Sequence, residues 1–418
     1  MNHPSALLRE AWLMSRDRAA IFWLGLAFLL SAISVASGVA EVRHQRVEIA
    51  KLVELDAIDR NAELARQSDW GGAAYYAFHF TYDPPSDLAF AALGQRESAA
   101  WKHRVRMLAL EGQIHETDAS NPELALAGRI DFSFFAAYIA PLLVIFLLYD
   151  LKSGERAAGR MELLTATAGN SAAPWRTRAA IRIAALAACM LLPLGVGAAV
   201  MSAPAADLVL VSVAVALHLL VWWGLVALVD RLSAAPTTQL TLLVGVWLLL
   251  AILVPATGRI LVERAVPVPS GADILMLQRE AVNRAWDMPK EDTMVPFIER
   301  HPEWADYSAI DAGFDWRWYY AFQQVGDQAA EEISKAYTLG RLRRDAAAGL
   351  AAWMSPPALL ERHLQFLAGT DVRSVIAYEQ SVRDFHAELR SFYYARLFRG
   401  KDFRLEDADG LPEYIPAH

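Results

Sequence analysis

The sequence predicts a mainly α-helical, polytopic membrane protein. It has about five spans and a mixed, largely helical extracytoplasmic domain built from two separate chain segments. Three observations lead there. The 418 residues are 55% hydrophobic with a mean hydropathy of +0.23, yet 21% are charged, too many for a chain made only of spans. Five apolar runs, 19–40, 132–149, 183–201, 208–229 and 240–261, are long enough to cross a bilayer, which takes roughly 17–25 helical residues. Two long polar segments, 41–131 and 263–418, flank the main block of runs, and each carries more acids than bases.

In chain order, Leu7, Leu8, Trp12 and Leu13 at helical spacing predict an interfacial helix over 5–14. Arg9, Arg16 and Arg18 then precede a run too long for the roughly 7–15 apolar residues of a signal peptide, so residues 1–40 read as that helix plus an uncleaved first span. Ser31, Ser34, Ser37 and Gly38 give the span a small face suited to close helix packing. Residues 41–66 contain no helix breaker and should prolong the span into water. Asp83-Pro84-Pro85 excludes regular helix within 70–93. Residues 95–116 read as helix, with Val105, Leu108 and Ile114 as its apolar positions, and Asn121-Pro122 breaks the chain before the second span.

Residues 132–262 hold four spans. The loop after the first of these, 150–182, carries more Lys and Arg than Asp and Glu, the mark of a cytoplasmic loop. Pro193 and Gly195 should bend the third span. Counting from an N-terminus inside the cell, five spans leave the C-terminal domain, 263–418, outside. There 267–271 reads as a linker and 273–286, 327–354 and 371–399 as helices. Val375, Tyr378, Val382, Phe385, Leu389 and Phe392 recur at heptad-like spacing, which suits either packing within the domain or a dimer seam. The two polar segments are expected to pack into one composite domain. The run 346–354 is too short for a sixth span and ends at prolines.

Several function classes are excluded or left without residues. The net charge of −8 gives nucleic-acid binding no electrostatic footing. No phosphate-binding loop, H-E-x-x-H, C-x-x-C or G-x-S-x-G is present, so no catalytic residue, metal ligand or cofactor is assigned. His79, His301, His363 and His386 form no pair at i, i+3 or i+4, and packing or surface hydrogen bonds are their expected roles. His218 lies inside the fourth span beside Trp222 and Trp223, where an ionisable group is a functional candidate, or a neutral partner of a neighbouring helix. Charged residues are too scarce within the spans for an ion relay, so energy for any transport must come from elsewhere. The single cysteine, Cys189, permits no internal disulfide.

One stretch then stands out. Leu148-Tyr149-Asp150-Leu151-Lys152-Ser153-Gly154-Glu155-Arg156, followed by Gly159 and Leu163-Leu164, resembles the signature of ABC-2-type exporter permeases, roughly a span, Glu-Arg-Glu-x-Gly-Thr-Leu and a Leu-Leu pair. Tyr82-Asp83-Pro84-Pro85-Ser86, Leu93-Gly94-Gln95-Arg96, Asn121-Pro122, Asp131-Phe132 and the run 315–327 resemble a subgroup with a large uncharacterised extracytoplasmic domain. The resemblance implies a permease subunit in the bacterial inner membrane that pairs with a second permease chain, identical or related. It also implies a separate ABC ATPase docked on the loop after the second span. Glu155, Arg156, Gly159, Met161, Leu163 and Leu164 are carried over as coupling-loop positions. Trp316, Arg317, Trp318, Tyr319, Tyr320, Gln323, Gln324 and Asp327 form the outer-domain signature, whose aromatics suit a core or a substrate-facing surface. Ala157 stands where the signature has its second acid and Arg160 where it has threonine, and five spans are counted against the family's six. The alternative is a membrane scaffold or sensor that transports nothing and uses its outer domain to bind a partner. An outer-face enzyme is disfavoured for want of any catalytic constellation.

Overall fold

Apolar runs and helix-forming segments dominate the chain, and the computed structural model, which describes residues 6–116, 130–168, 173–310 and 313–416, is accordingly mainly helical. A short helix, α1 (Ala6–Met14), leaves Leu7, Leu8 and Trp12 exposed. The next helix, α2 (Arg18–Leu64), is capped by Asp17, whose carboxylate accepts from the Ala19 and Ala20 amides at 3.1 and 3.2 Å. Its 47 residues measure about 70 Å at 1.5 Å per residue, so it runs without a break from the apolar part of the molecule into the polar part.

Helix α5 opens as Phe132–Phe134, passes a π turn at Phe135–Ile139 and continues as Ala140–Leu148; before it lie α3 (Trp70–Tyr76) and α4 (Leu110–His115). Two short loop helices follow, α6 (Ser153–Ala157) and α7 (Met161–Ala168), then α8 (Ala173–Met201) and α9 (Ala205–Asp230). Helix α10 runs Pro236–Leu248, a π turn at Leu249–Leu253, then Val254–Ala265. Among the described residues five helices are long and apolar enough to cross a membrane: α2, α5 with α6, α8, α9 and α10. Their shared core includes Phe132, Phe135, Ile145, Leu186, Met190, Leu219 and Trp222. The small face of α2 is used as its composition suggests, with Ser31, Ser34 and Gly38 buried and Ser31 Oγ donating to the Met190 carbonyl at 2.9 Å. Both π turns release carbonyls that side chains satisfy: Trp247 Nε1 donates to Tyr138 at 2.9 Å and Ser355 Oγ to Leu250 at 2.6 Å.

The polar segments build a second core. To it come α3, α4 and the strands β1 (His79–Tyr82) and β2 (Lys102–Val105), antiparallel with His79 opposite Val105 and Tyr82 opposite Lys102. The C-terminal segment supplies α11 (Gly271–Asp287), α12 (Lys290–Arg300), α13 (Trp316–Ala352), α14 (Pro356–Leu367) and α15 (Val372–Leu397). Trp70, Val105 and Met107 from the first segment share this core with Phe297, Tyr320, Phe385 and Tyr393 from the second.

Two expectations change, and one of two open alternatives is met. The helix foreseen over 95–116 is a 3-10 turn (Gly94–Glu97), β2 and the one-and-a-half turns of α4. His103 and Val105 face inward while Arg104 faces out, a period of two that pairs with β1 and overrides helical propensity. The C-terminal helix foreseen from residue 327 begins eleven residues earlier, at Trp316, because Asp315 caps it by accepting from the Arg317 amide at 2.7 Å. The heptad-like face of α15 is spent within the domain, with Val375, Tyr378, Val382, Phe385 and Leu389 all buried. The break at Asn121-Pro122 lies outside the described residues.

Candidate functional site

The ends of the apolar helices that meet the loop after α5 are tied by a ring of ion pairs. Lys152, one turn after α5, reaches Asp230 at the end of α9 at 2.6 Å. Arg178 on α8 pairs with Glu10 of α1 at 2.8 Å and lies 3.6 Å from Glu155 of α6. Arg182, one turn further along α8, pairs with Asp17 at 2.8 Å and donates to the Leu147 carbonyl at 2.7 Å. Glu155 in turn accepts from Arg160 at 2.6 Å. A single exposed pair contributes little, but linked, part-buried pairs fix the relative positions of the helices that bear them.

The predicted loop residues fall on two short helices and the turn between them. Glu155 and Arg156 sit on α6, and one guanidinium nitrogen of Arg156, Nη1, is buried with no hydrogen-bond partner among the described residues. Gly159 follows α6 with φ +68°, the left-handed conformation that glycine adopts at no steric cost. Met161 and Leu164 of α7 are half-buried and Leu163 is exposed. Exposed apolar and part-buried charged side chains thus sit on two short helices, of which α6 is tied to α8 through Glu155 and Arg178, while Lys152 just before it reaches α9.

The outer-domain signature lies at the seam between the two polar segments. Trp316 stacks on Tyr320, and its ring occupies the space where a side chain on Gly71 would stand, 1.9 Å from an added Cβ. Tyr320 donates its hydroxyl to the Gly71 carbonyl at 2.8 Å. Gln323 accepts from the Ala109 amide at 3.1 Å. Gln324 bonds to Tyr394 at 2.7 Å and to His301. Asp327 accepts from the Leu110 and Glu111 amides at 2.8 and 3.0 Å, so it caps α4, and it pairs with Arg390 at 2.5 Å. Arg317 folds back on Asp315 at 2.6 Å, and Trp318 is buried against Phe322. Tyr319, half-buried, packs on Tyr75 and Phe322. Trp318, Tyr320, Gln323 and Gln324 are thus buried, and Trp316, Arg317, Tyr319 and Asp327 are half-buried.

Beside the seam lies a charged network that sequence reasoning missed. Glu111 takes two hydrogen bonds from Arg383, at 2.7 and 3.0 Å, and one from Ser334 at 2.8 Å. Burial works against the charged form of Glu111, but His115, Arg383 and Ser334 outweigh it and hold the carboxyl well below the usual carboxylate range. Arg383 and Arg390 stand seven residues apart beside Val382 and Leu389 on α15, and that spacing was the available signal. The partners of the basic loop residues, Glu10, Asp17 and Asp230, were likewise missed, because they lie far away in sequence.

The histidines disperse. His79 and His386 are buried, His386 bonded to the Arg106 carbonyl at 3.0 Å, and His363 is exposed. His218 Nε2 lies 3.1 Å from Trp222 Nε1 and 3.3 Å from the Ala137 carbonyl, so the buried ring joins α9 to the π turn of α5. Among the described residues no three His, Cys, Asp or Glu side chains gather as a metal site.

Comparison with known proteins reaches the C-terminal segment. A family model described as "Domain of unknown function (DUF3526)" matches residues 273–417, from within α11 to the end of the C-terminal segment. Neither a curated protein nor a solved structure matches the chain.

Proposed function

We propose that the chain is the membrane-spanning permease subunit of an ABC-2-type exporter, driven by a separate ATPase that docks on loop 150–182 at the cytoplasmic face of the bacterial inner membrane. The observation that supports this reading is the ion-pair ring: the stretch resembling the coupling signature is tied to α9 through Lys152 and Asp230 and to α8 through Glu155 and Arg178, and Arg178 and Arg182 of α8 carry the linkage on to α1, α2 and α5. Closure of two ATPases around ATP would push α6 and α7, and the ring would pass the displacement to the spans as a rigid-body tilt. The N-terminus lies inside and the C-terminal domain outside. The substrate is unidentified, and a second permease chain, the same or related, completes the channel.

Co-purification in mild detergent tests it. The chain should bring an ATPase with it, and replacing residues 151–164 with a Gly/Ser linker should release that ATPase while the spans stay folded. Retention of the ATPase on the linker variant removes the coupling assignment. A wild-type chain that brings a receptor or structural partner and no ATPase favours the scaffold or sensor reading.

A further inference from the structure

The turn between α13 and α14 is seated on the fifth apolar helix at depth. Its Ser355 bonds to Leu250 in the π turn of α10, and Leu250 lies nine residues from Arg259, roughly 13 Å along the helix at 1.5 Å per residue. At this turn Leu350, Trp353 and Met354 are 76%, 74% and 68% exposed. Around the Leu250 that Ser355 meets, Leu249, Ile252 and Leu253 of α10 are exposed as well. An apolar surface of that extent calls for an apolar solvent. On its other face α14 sends Leu360 and Leu364 into the core of the apolar helices.

Directly above is a cavity of about 490 Å³ between α10, α13 and α14. Its floor is apolar, built from Val254, Pro255, Gly258, Ala351 and Ala352. Arg259, Arg341, Arg344 and Arg362 also line it, against Glu263 and Asp345 in the lining and Glu379 behind Arg341, four positive charges to three negative. Arg341 is occupied by Glu379 at 2.6 and 2.9 Å, and Arg362 by Asp345 at 2.7 Å. Arg259 is 81% exposed and touches Glu263 on one side. Arg344 donates to the Val266 carbonyl at 2.8 Å and makes no ion pair within 4 Å among the described residues. Arg344, and the Nη groups of Arg259 that Glu263 leaves open, therefore stand beside an apolar slot.

We infer that this cavity binds an anionic phospholipid, its phosphate on Arg259 and Arg344 and the upper part of one acyl chain along Gly258 and Ala351. A wholly polar ligand would leave the floor wet, and a neutral amphiphile would leave the surplus charge unanswered. The volume accommodates a headgroup and the start of a chain, with the remainder lying over Trp353 and Leu253 in the bilayer. The inference rests on the reading of the apolar helices as membrane spans.

Native mass spectrometry of the full chain with phosphatidylglycerol, with phosphatidylcholine of the same acyl chains, and with inorganic phosphate as competitor tests it. Phosphatidylglycerol should be retained over phosphatidylcholine by about fivefold per engaged arginine, and Arg259→Gln with Arg344→Gln should erase that preference. Gly258→Leu fills the slot without touching a charge and should lower retention of both lipids. Inorganic phosphate should not displace the lipid. Equal retention of the two lipids, or displacement by free phosphate, overturns the assignment. A nitroxide at Val213→Cys on α9, in a Cys189→Ser background in vesicles, separates the two levels. After a negative lipid result, a label that oxygen reaches and a water-soluble relaxant does not means that the spans stand and only the lipid site falls. If the relaxant reaches it, both fall.

Discussion

Arg182 grips two helices at once: its Nη1 donates to the Leu147 carbonyl at 2.7 Å while Nη2 pairs with Asp17 at 2.8 Å. Asp17 is at the same time the cap of α2. One guanidinium on α8 thereby joins the ends of α2 and α5, and Arg178, one turn earlier on α8, lies 3.6 Å from Glu155 of α6.

Arg182→Ala should destabilise the detergent-solubilised chain by about 1–3 kcal/mol, because it leaves a part-buried carboxylate and a helix-end carbonyl without their donor. Arg182→Lys should recover only part of this, since an ammonium cannot span both acceptors in the same geometry. Thermal unfolding reads the difference; equal melting points for wild type and alanine variant would remove the clamp.

Asp327 and Arg390 should behave as a unit with α4. Asp327→Ala strands a mostly buried guanidinium and uncaps α4, for an expected loss of about 3–5 kcal/mol. Adding Arg390→Leu to the alanine variant should return part of that loss, so a double-mutant cycle by denaturant unfolding gives a coupling energy of about 1–3 kcal/mol. Strict additivity would contradict it.

Two neighbouring glycines should differ. A Cβ on Gly71 meets the rigid indole of Trp316 at 1.9 Å, whereas one on Gly72 meets the movable end of Gln67 at 2.6 Å. Gly71→Ala should cost at least about 1–3 kcal/mol and disturb tryptophan fluorescence; Gly72→Ala should do much less. The reverse order would mean the seam is packed otherwise.

Acid should weaken the outer domain in two stages. Burial holds His79 neutral, with its pKa lowered from the ordinary 6.5 to about 3. The unfolded chain takes up that proton first, so stability falls as pH drops below 6.5, by up to about 1.4 kcal/mol per unit. Glu111 has the depressed carboxyl, so its contribution is full above the ordinary carboxylate pKa and is lost as pH falls below it. His79→Leu should flatten the upper part of the stability–pH curve and Glu111→Gln the lower part, measured by denaturant midpoint at successive pH values. Unchanged slopes would show that the two groups titrate alike folded and unfolded.

Local patterns made much of the architecture legible. The 3.6-residue period and the lack of breakers over 41–66 announce the long α2, and Ser31 and Gly38 announce the small face that meets α8. The role of 315–327 was readable only as a choice between core and surface, because aromatic spacing on a helix is the same in both. The strand pair 79–82 with 102–105 was hidden, since four residues of alternation carry little signal against a helix-prone neighbourhood.

By itself the sequence determined the helical class, the five long apolar helices and the two polar segments, because hydropathy and periodicity are properties of contiguous residues. Only the tertiary structure decided which carboxylate each arginine meets, that α4 is capped by Asp327 from more than two hundred residues away, and that α13 and α14 turn against Leu250. Those pairings depend on where distant segments come to rest, and that is set by burying two cores at once.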